Sequence, residues 1–80
     1  MIQRDIIHNI LKQHAGVYIT DLVIIKECHE NGPDNVRNIR IEPIRRCLQE
    51  LWNMGKADWI PGEYDKINRE WIREGLWRAR

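Results

Sequence analysis

The sequence predicts an α+β domain of three helices and a small antiparallel sheet, and three observations carry that prediction. Apolar residues recur at helical spacing in three stretches, near residues 2–14, 21–30 and 43–55. A β-branched and aromatic pentapeptide, GVYIT, lies between the first two. After Gly55, two tryptophan-bearing runs, around Trp59 and Trp77, flank a polar stretch as the arms of a hairpin would. The order is helix, short strand, helix, helix, hairpin.

The first helix takes Ile2, Ile6, Ile7, Ile10 and Leu11 on one face. Gly16 stands where a helix-ending glycine is expected, and His14 just before it suits the helix C-terminus. Residues 17–19 suit a brief strand. Thr20 is placed to cap a second helix over about 21–30, with Asp21 favourable to its dipole. That helix is expected to bury Leu22, Val23, Ile24 or Ile25, and Cys28. Asn31-Gly32-Pro33 stops it, with Gly32 free to take positive φ.

Residues 33–42, PDNVRNIRIE, read as a loop or as a loop holding one helical turn. Pro43 is expected at the first position of the third helix, which ends at Gly55. Ile44, Cys47, Leu48, Leu51 and Met54 form its buried stripe. Arg46, Gln49 and Asn53 lie opposite, flanked by Arg45 and Glu50. Beyond it, pairing Trp59 with Trp77 sets Pro61 against Gly75 and puts the hairpin tip near Lys66 to Arg69. A rival reading of 65–74 is a helical turn inside a long loop. Residues 17–19 are available as a third strand.

At 80 residues the chain makes one domain, 1–80, with little room for an enclosed active site. No apolar run approaches the roughly 18 to 20 residues that span a bilayer. The start, MIQRDIIHNILKQ, is charged throughout and lacks a secretory apolar core. The two cysteines are therefore expected to be free thiols in a reducing cytoplasm. His8, His14, Cys28, His29 and Cys47 fall at no zinc spacing, so no metal and no cofactor is expected. There is no phosphate loop, no G-x-S-x-G and no paired-carboxylate signature, which argues against an enzyme.

The charge is nearly balanced, with 13 Lys+Arg against 12 Asp+Glu, but it is unevenly spread. Residues 1–36 carry −2 and residues 37–80 carry +3. Four arginines, Arg37, Arg40, Arg45 and Arg46, fall between 37 and 46 against one acid, Glu42.

The element order and the run PIRRCLQELWNMGKADWI resemble the recognition-helix segment of winged helix-turn-helix regulators, including the GntR type. Ile44-Arg45 opens the run, Cys47 is its small residue, Leu48 and Leu51 its leucines, and Gly55 ends the helix. The likeness covers about 20 residues closely and the rest by element order. Two features depart from it. The turn between the motif's helices is commonly about 3 to 4 residues, and here it is stretched. The hairpin tip also lacks the glycines common in GntR-type wings.

The resemblance implies sequence-specific binding of double-stranded DNA by a small transcription or replication regulator. In such a domain the recognition helix enters the major groove. Arg46, Gln49 and Asn53 are side chains suited to base edges. Arg37, Arg40 and Arg45 are placed for phosphates, and Lys66 and Arg69, beside Asn68, for the backbone or minor groove. Dimerisation would be the usual route to sufficient affinity, with two half-sites a helical turn apart.

Plainer readings stand beside this one. Arg46 and Glu50 sit at i, i+4 and are able to pair. Glu63, Asp65 and Glu70 surround the wing-tip cations and would repel phosphate. Trp59 and Trp77 are expected to pack the sheet on the helices, while Trp71 beside Ile72 offers a homodimer or protein-partner surface. The alternative function is accordingly a winged-helix protein-interaction module that does not bind DNA. A weaker third is single-strand binding through stacked tryptophans.

Overall fold

The computed structural model describes residues 2–80; Met1 lies outside the described residues. Helix α1, Gln3–Gln13, buries Ile6, Ile7, Ile10 and Leu11. Ile2 precedes the helix at its N-cap and is exposed rather than part of that stripe. His14 is the C-cap, and Ala15 and Gly16 follow with φ of 46° and 79°. This left-handed pair reverses the chain into the extended segment that holds Ile19.

Helix α2, Asp21–Asn31, starts at the Thr20 cap, whose hydroxyl accepts from the Val23 N–H at 3.4 Å. Its buried residues are Ile24 and Cys28. Leu22 and Val23 are exposed, contrary to the sequence expectation. The apolar run at 22–25 wraps the helix, and only the side meeting the other helices is covered. Gly32 corrects a second expectation. Its φ is −77°, so glycine is needed here for space. A Cβ at Gly32 would lie 2.5 Å from Val36 Cγ2, and closer still to the Cys28 carbonyl oxygen.

The connection between α2 and α3 holds one 3-10 turn, Asp34–Val36. It is pinned at several points. Val36 and Ile39 are buried in the core. The Ile39 carbonyl accepts a hydrogen bond from His29 Nε2 at 2.8 Å, which fixes the histidine tautomer at that contact, because a carbonyl can only accept. Arg37 Nε donates to the Gly32 carbonyl at 3.1 Å.

Helix α3, Ile41–Asn53, begins two residues earlier than Pro43 predicts, so Pro43 is third in the helix. The position is tolerated because N–H groups in the first turn have no intrahelical partner to lose. Ile44, Cys47, Leu48 and Leu51 are buried, whereas Met54, at the C-cap, is exposed. Arg4 Nη1 reaches Glu50 Oε2 at 3.3 Å and ties α1 to α3. Gly55, with φ 74°, turns the chain into the sheet.

The hairpin has four strands: β1, Ala57–Ile60; β2, Glu63–Asp65; β3, Glu70–Arg73; and β4, Leu76–Ala79. Strands β1 and β4 pair antiparallel with Trp59 opposite Trp77, the register expected from sequence. The Ile19 and Trp77 backbones bond each other on the far side of β4, with both N–H···O distances 2.8 Å. The lateral order is thus Ile19, β4, β1. The ladder breaks at 61–62 and 74–75, and β2 and β3 form a second two-stranded ribbon beyond the break. The tip is a turn over 66–69, so 65–74 is not helical.

At the break the backbones crowd. A Cβ on Gly62 would fall 2.8 Å from the Gly75 nitrogen. The core lies between α1, α2, α3 and the β1–β4 pair, whose Ala57 and Trp77 belong to it. The molecule is elongated, with extents of 41 × 26 × 19 Å.

Candidate nucleic-acid interface

Burial of the Ile44–Leu51 stripe forces the opposite side of α3 outward. Arg46 and Asn53 are exposed there, and Gln49 is half-exposed. Glu42 shares this side at the start of the helix and is exposed too. The pairing of Arg46 with Glu50 allowed by their spacing does not form; Glu50 is engaged by Arg4 instead. Among the described residues Arg46 makes no ion pair. Its guanidinium keeps its donors available to a ligand.

The other cations differ in freedom. Arg45 is held, its Nε 2.7 Å from Asp21 Oδ2, across the gap between the start of α2 and α3. Its side chain is still 57% exposed against 13% for Asp21, so the arginine faces water while neutralising the acid. Arg37 is clamped by the Gly32 carbonyl and lies 3.5 Å from Asp34 Oδ1. Arg40 is the N-cap residue of α3; it is exposed, and its side chain does not cap.

Between α3 and the base of the ribbon runs an open groove of about 240 Å³, lined by Asp21, Arg45, Gln49, Trp59, Trp71 and Trp77 among others. Gln49 and Arg45 thus form one wall, while Arg46 and Asn53 stand on the outer side of the helix. Sequence reasoning put Arg45 and Gln49 at the site. It missed Asp21, which reads in sequence only as a residue favourable to the α2 dipole. It also missed that Trp59 and Trp71 line the same groove. No local signal marks either, because the groove is made by elements distant in the chain.

Lys66 and Arg69 are exposed on the ribbon turn, and Arg69 has φ 54°. The turn is organised by Asp65. Its carboxylate accepts from the N–H groups of Asn68 and Ile67 and from Asn68 Nδ2, at 3.2, 2.9 and 2.8 Å. The bonds from Asn68, backbone and side chain, and then from Ile67 hold its carboxyl below the usual range. A fixed negative charge therefore sits beside the two cations, and the Asn68 side chain is occupied by the turn.

The tryptophans divide by role. Trp77 is buried and stacks on Trp59, and Trp59 meets the edge of Trp52 at a centroid distance of 5.4 Å. Trp71 is 59% exposed and touches Tyr64 edge-on at 5.1 Å.

Both thiols are free and buried. Burial pushes Cys28 and Cys47 up, away from the thiolate that nucleophiles and metal ligands need. Among the described residues no cluster of His, Cys, Asp or Glu is placed to hold a metal ion, and no helix is long and apolar enough to cross a membrane. No family model, curated protein or solved structure matches this chain.

Proposed function

We propose that this chain is a winged-helix domain that binds double-stranded DNA sequence-specifically, with α3 as its recognition helix and the ribbon as its wing, and that it serves as a small transcription or replication regulator in the cytoplasm. The observation that carries the reading is the state of Arg46. It lies on the outward side of a well-packed helix, with Glu50 taken by Arg4 and, among the described residues, no ion pair to Glu42 one turn earlier. The lateral order Ile19, β4, β1, with a ribbon projecting beyond, supports the winged-helix reading.

In this reading Arg46 donates in bidentate fashion to guanine O6 and N7, and Gln49 and Asn53 address adenine edges. Arg40 and Arg37 hold phosphates near the start of α3, where the helix dipole adds partial positive charge. Arg45 contacts a phosphate while keeping Asp21 neutralised. Lys66 and Arg69 meet the backbone beyond the groove. A contact set of about five phosphates gives a logarithmic salt slope of roughly −4 to −5.

Selection from random duplexes at two salt concentrations tests this. A motif enriched at low salt is the expected result, with Arg46→Ala weakening the best site by about 1–3 kcal/mol and relaxing one base position. No enrichment at low salt would overturn the reading.

A second reading is favoured by the ribbon, where Tyr64, Ile67, Trp71 and Ile72 are all exposed. As a protein-interaction module the domain would bind no duplex and would dock a partner there. The same selection separates the two.

A further inference from the structure

The groove between α3 and the ribbon base does not end at Gln49 and Trp59. A second hollow of about 80 Å³, reaching Leu22 and Glu74, continues it, and the two share Asp21, Arg45, Trp71 and Gly75. Together they make one open trough beside the break in the ladder. Its apolar surface comes from Trp59, Trp71 and Leu22, and the last two are exposed.

The polar side chains along the middle of this trough offer donors. Asp21, the acid there, is already taken by Arg45 Nε. That bond leaves both terminal nitrogens of Arg45 unengaged among the described residues. The Gln49 amide and the Trp59 indole N–H also make no hydrogen bond among the described residues. No described side-chain nitrogen or oxygen is buried without a partner, so the Trp59 N–H reaches solvent. Gly75 keeps it open: a Cβ there would stand 3.4 Å from Trp59 Nε1. At the Leu22 end the charge is different. Glu74 is exposed and forms no ion pair among the described residues.

This pattern narrows the ligand. Proline has a carbonyl but no N–H, so a proline-rich segment offers acceptors alone to a row of donors. Its rings suit aromatic-lined grooves, and its extended backbone is preformed, so little entropy is lost on docking. Its carbonyls would accept from Trp59, Gln49 and Arg45. A cationic side chain beside the prolines would meet Glu74. Single-stranded nucleic acid also stacks on tryptophan, but it needs a positive groove. Here Arg45 is offset by Asp21, and the unpaired charge is that of Glu74.

We propose that this trough is a binding site for an extended proline-rich peptide of a partner protein, with a lysine or arginine beside the prolines. Trp59 and Trp71 hold the rings, Trp59, Gln49 and Arg45 bond the carbonyls, and Glu74 takes the cation. The proposal goes beyond the duplex reading and does not depend on it, since Arg46 and Asn53, on the outer side of α3, take no part.

Titration of the full chain, without DNA, tests it. The probes are synthetic proline-rich peptides of about ten residues, with arginine at one end or the other. The Trp59 indole N–H signal in nuclear magnetic resonance spectra is expected to shift saturably with at least one of them. Trp71→Ala should weaken binding by about fivefold or more. Gly75→Ala, which crowds the Trp59 N–H, should weaken it as well. Glu74→Lys should weaken the arginine peptide by roughly two- to fivefold and favour the same peptide ending in glutamate. Circular dichroism checks that each variant is folded.

No saturable shift with either arginine peptide overturns the proposal. So do Trp71→Ala and Gly75→Ala chains that bind as the wild type does, and so does a Glu74→Lys chain that still prefers arginine. An oligothymidylate that moves the Trp59 signal when the peptides do not would also overturn it, assigning the trough to single-stranded nucleic acid. Because no duplex is present, none of these results bears on the outer side of α3.

Discussion

Trp59 and Trp77 stack across the base of the hairpin, with ring centroids 5.2 Å apart and planes 9° from parallel. They face each other in the β1–β4 ladder, and Trp77 also exchanges both backbone bonds with Ile19. One residue therefore joins the helical core, the incoming extended segment and the ribbon base. Trp77→Ala is expected to cost about 3–5 kcal/mol in urea unfolding. Trp71→Ala, on the exposed ribbon, should cost within about 1 kcal/mol. Similar losses for the two would contradict this division of roles.

Gly32 is buried where the end of α2 meets the 3-10 turn. An added methyl would collide with the Cys28 carbonyl and with Val36. Gly32→Ala should destabilise by about 1–3 kcal/mol through overpacking. Gly55→Ala meets only Arg80 Nη1, at 3.6 Å, so its cost is one of backbone conformation, about 1 kcal/mol. Thermal unfolding of the two variants side by side gives the ranking.

Asp58 accepts from Arg78 Nη2 at 2.7 Å and from Arg80 Nε at 2.9 Å. The Arg78 hydrogen bond above all holds its carboxyl below the usual value. A depressed carboxyl stabilises the folded state above its unfolded pKa, and that stabilisation is lost as pH falls through the folded value. The acid limb of stability, below about pH 4, should therefore be shallower in Asp58→Asn. An unchanged limb in chemical-denaturation series would show that Asp58 contributes nothing to it.

Asp21 restrains Arg45 at the edge of the groove. Asp21→Asn removes that negative charge and frees the arginine. If duplex binds there, its affinity should rise roughly two- to tenfold at low salt, with the gain shrinking as salt increases. The exposed ion pair itself is worth at most about 1 kcal/mol of stability. Fluorescence anisotropy with one labelled duplex measures the change, and a fall in affinity would remove Arg45 from the phosphate set.

Much of the fold was legible because its signals are local. The Thr20 cap, the glycines after α1 and α3, and the Ile44–Leu51 stripe each act within a few residues. The Trp59–Trp77 register was legible for a related reason: the hairpin tip and the two tryptophan runs are consistent with only a few alignments. The start of α3 was misplaced because proline suits any position of a first turn, and the sequence pattern does not choose among them. The residue signal for Gly32 was right about a need for glycine and wrong about its cause, which is the approach of Val36.

The sequence by itself determined three helices, a C-terminal hairpin and an outward set of Arg46, Gln49 and Asn53, since periodicity and turn chemistry work over short windows. Only the tertiary structure decided that Glu50 belongs to Arg4, that Arg45 is held by Asp21, that Leu22 and Val23 stay exposed, and that β3 presents a free edge. Those outcomes depend on which surfaces of distant elements meet. An ion pair 46 residues apart in the chain leaves no mark on the pattern around either partner.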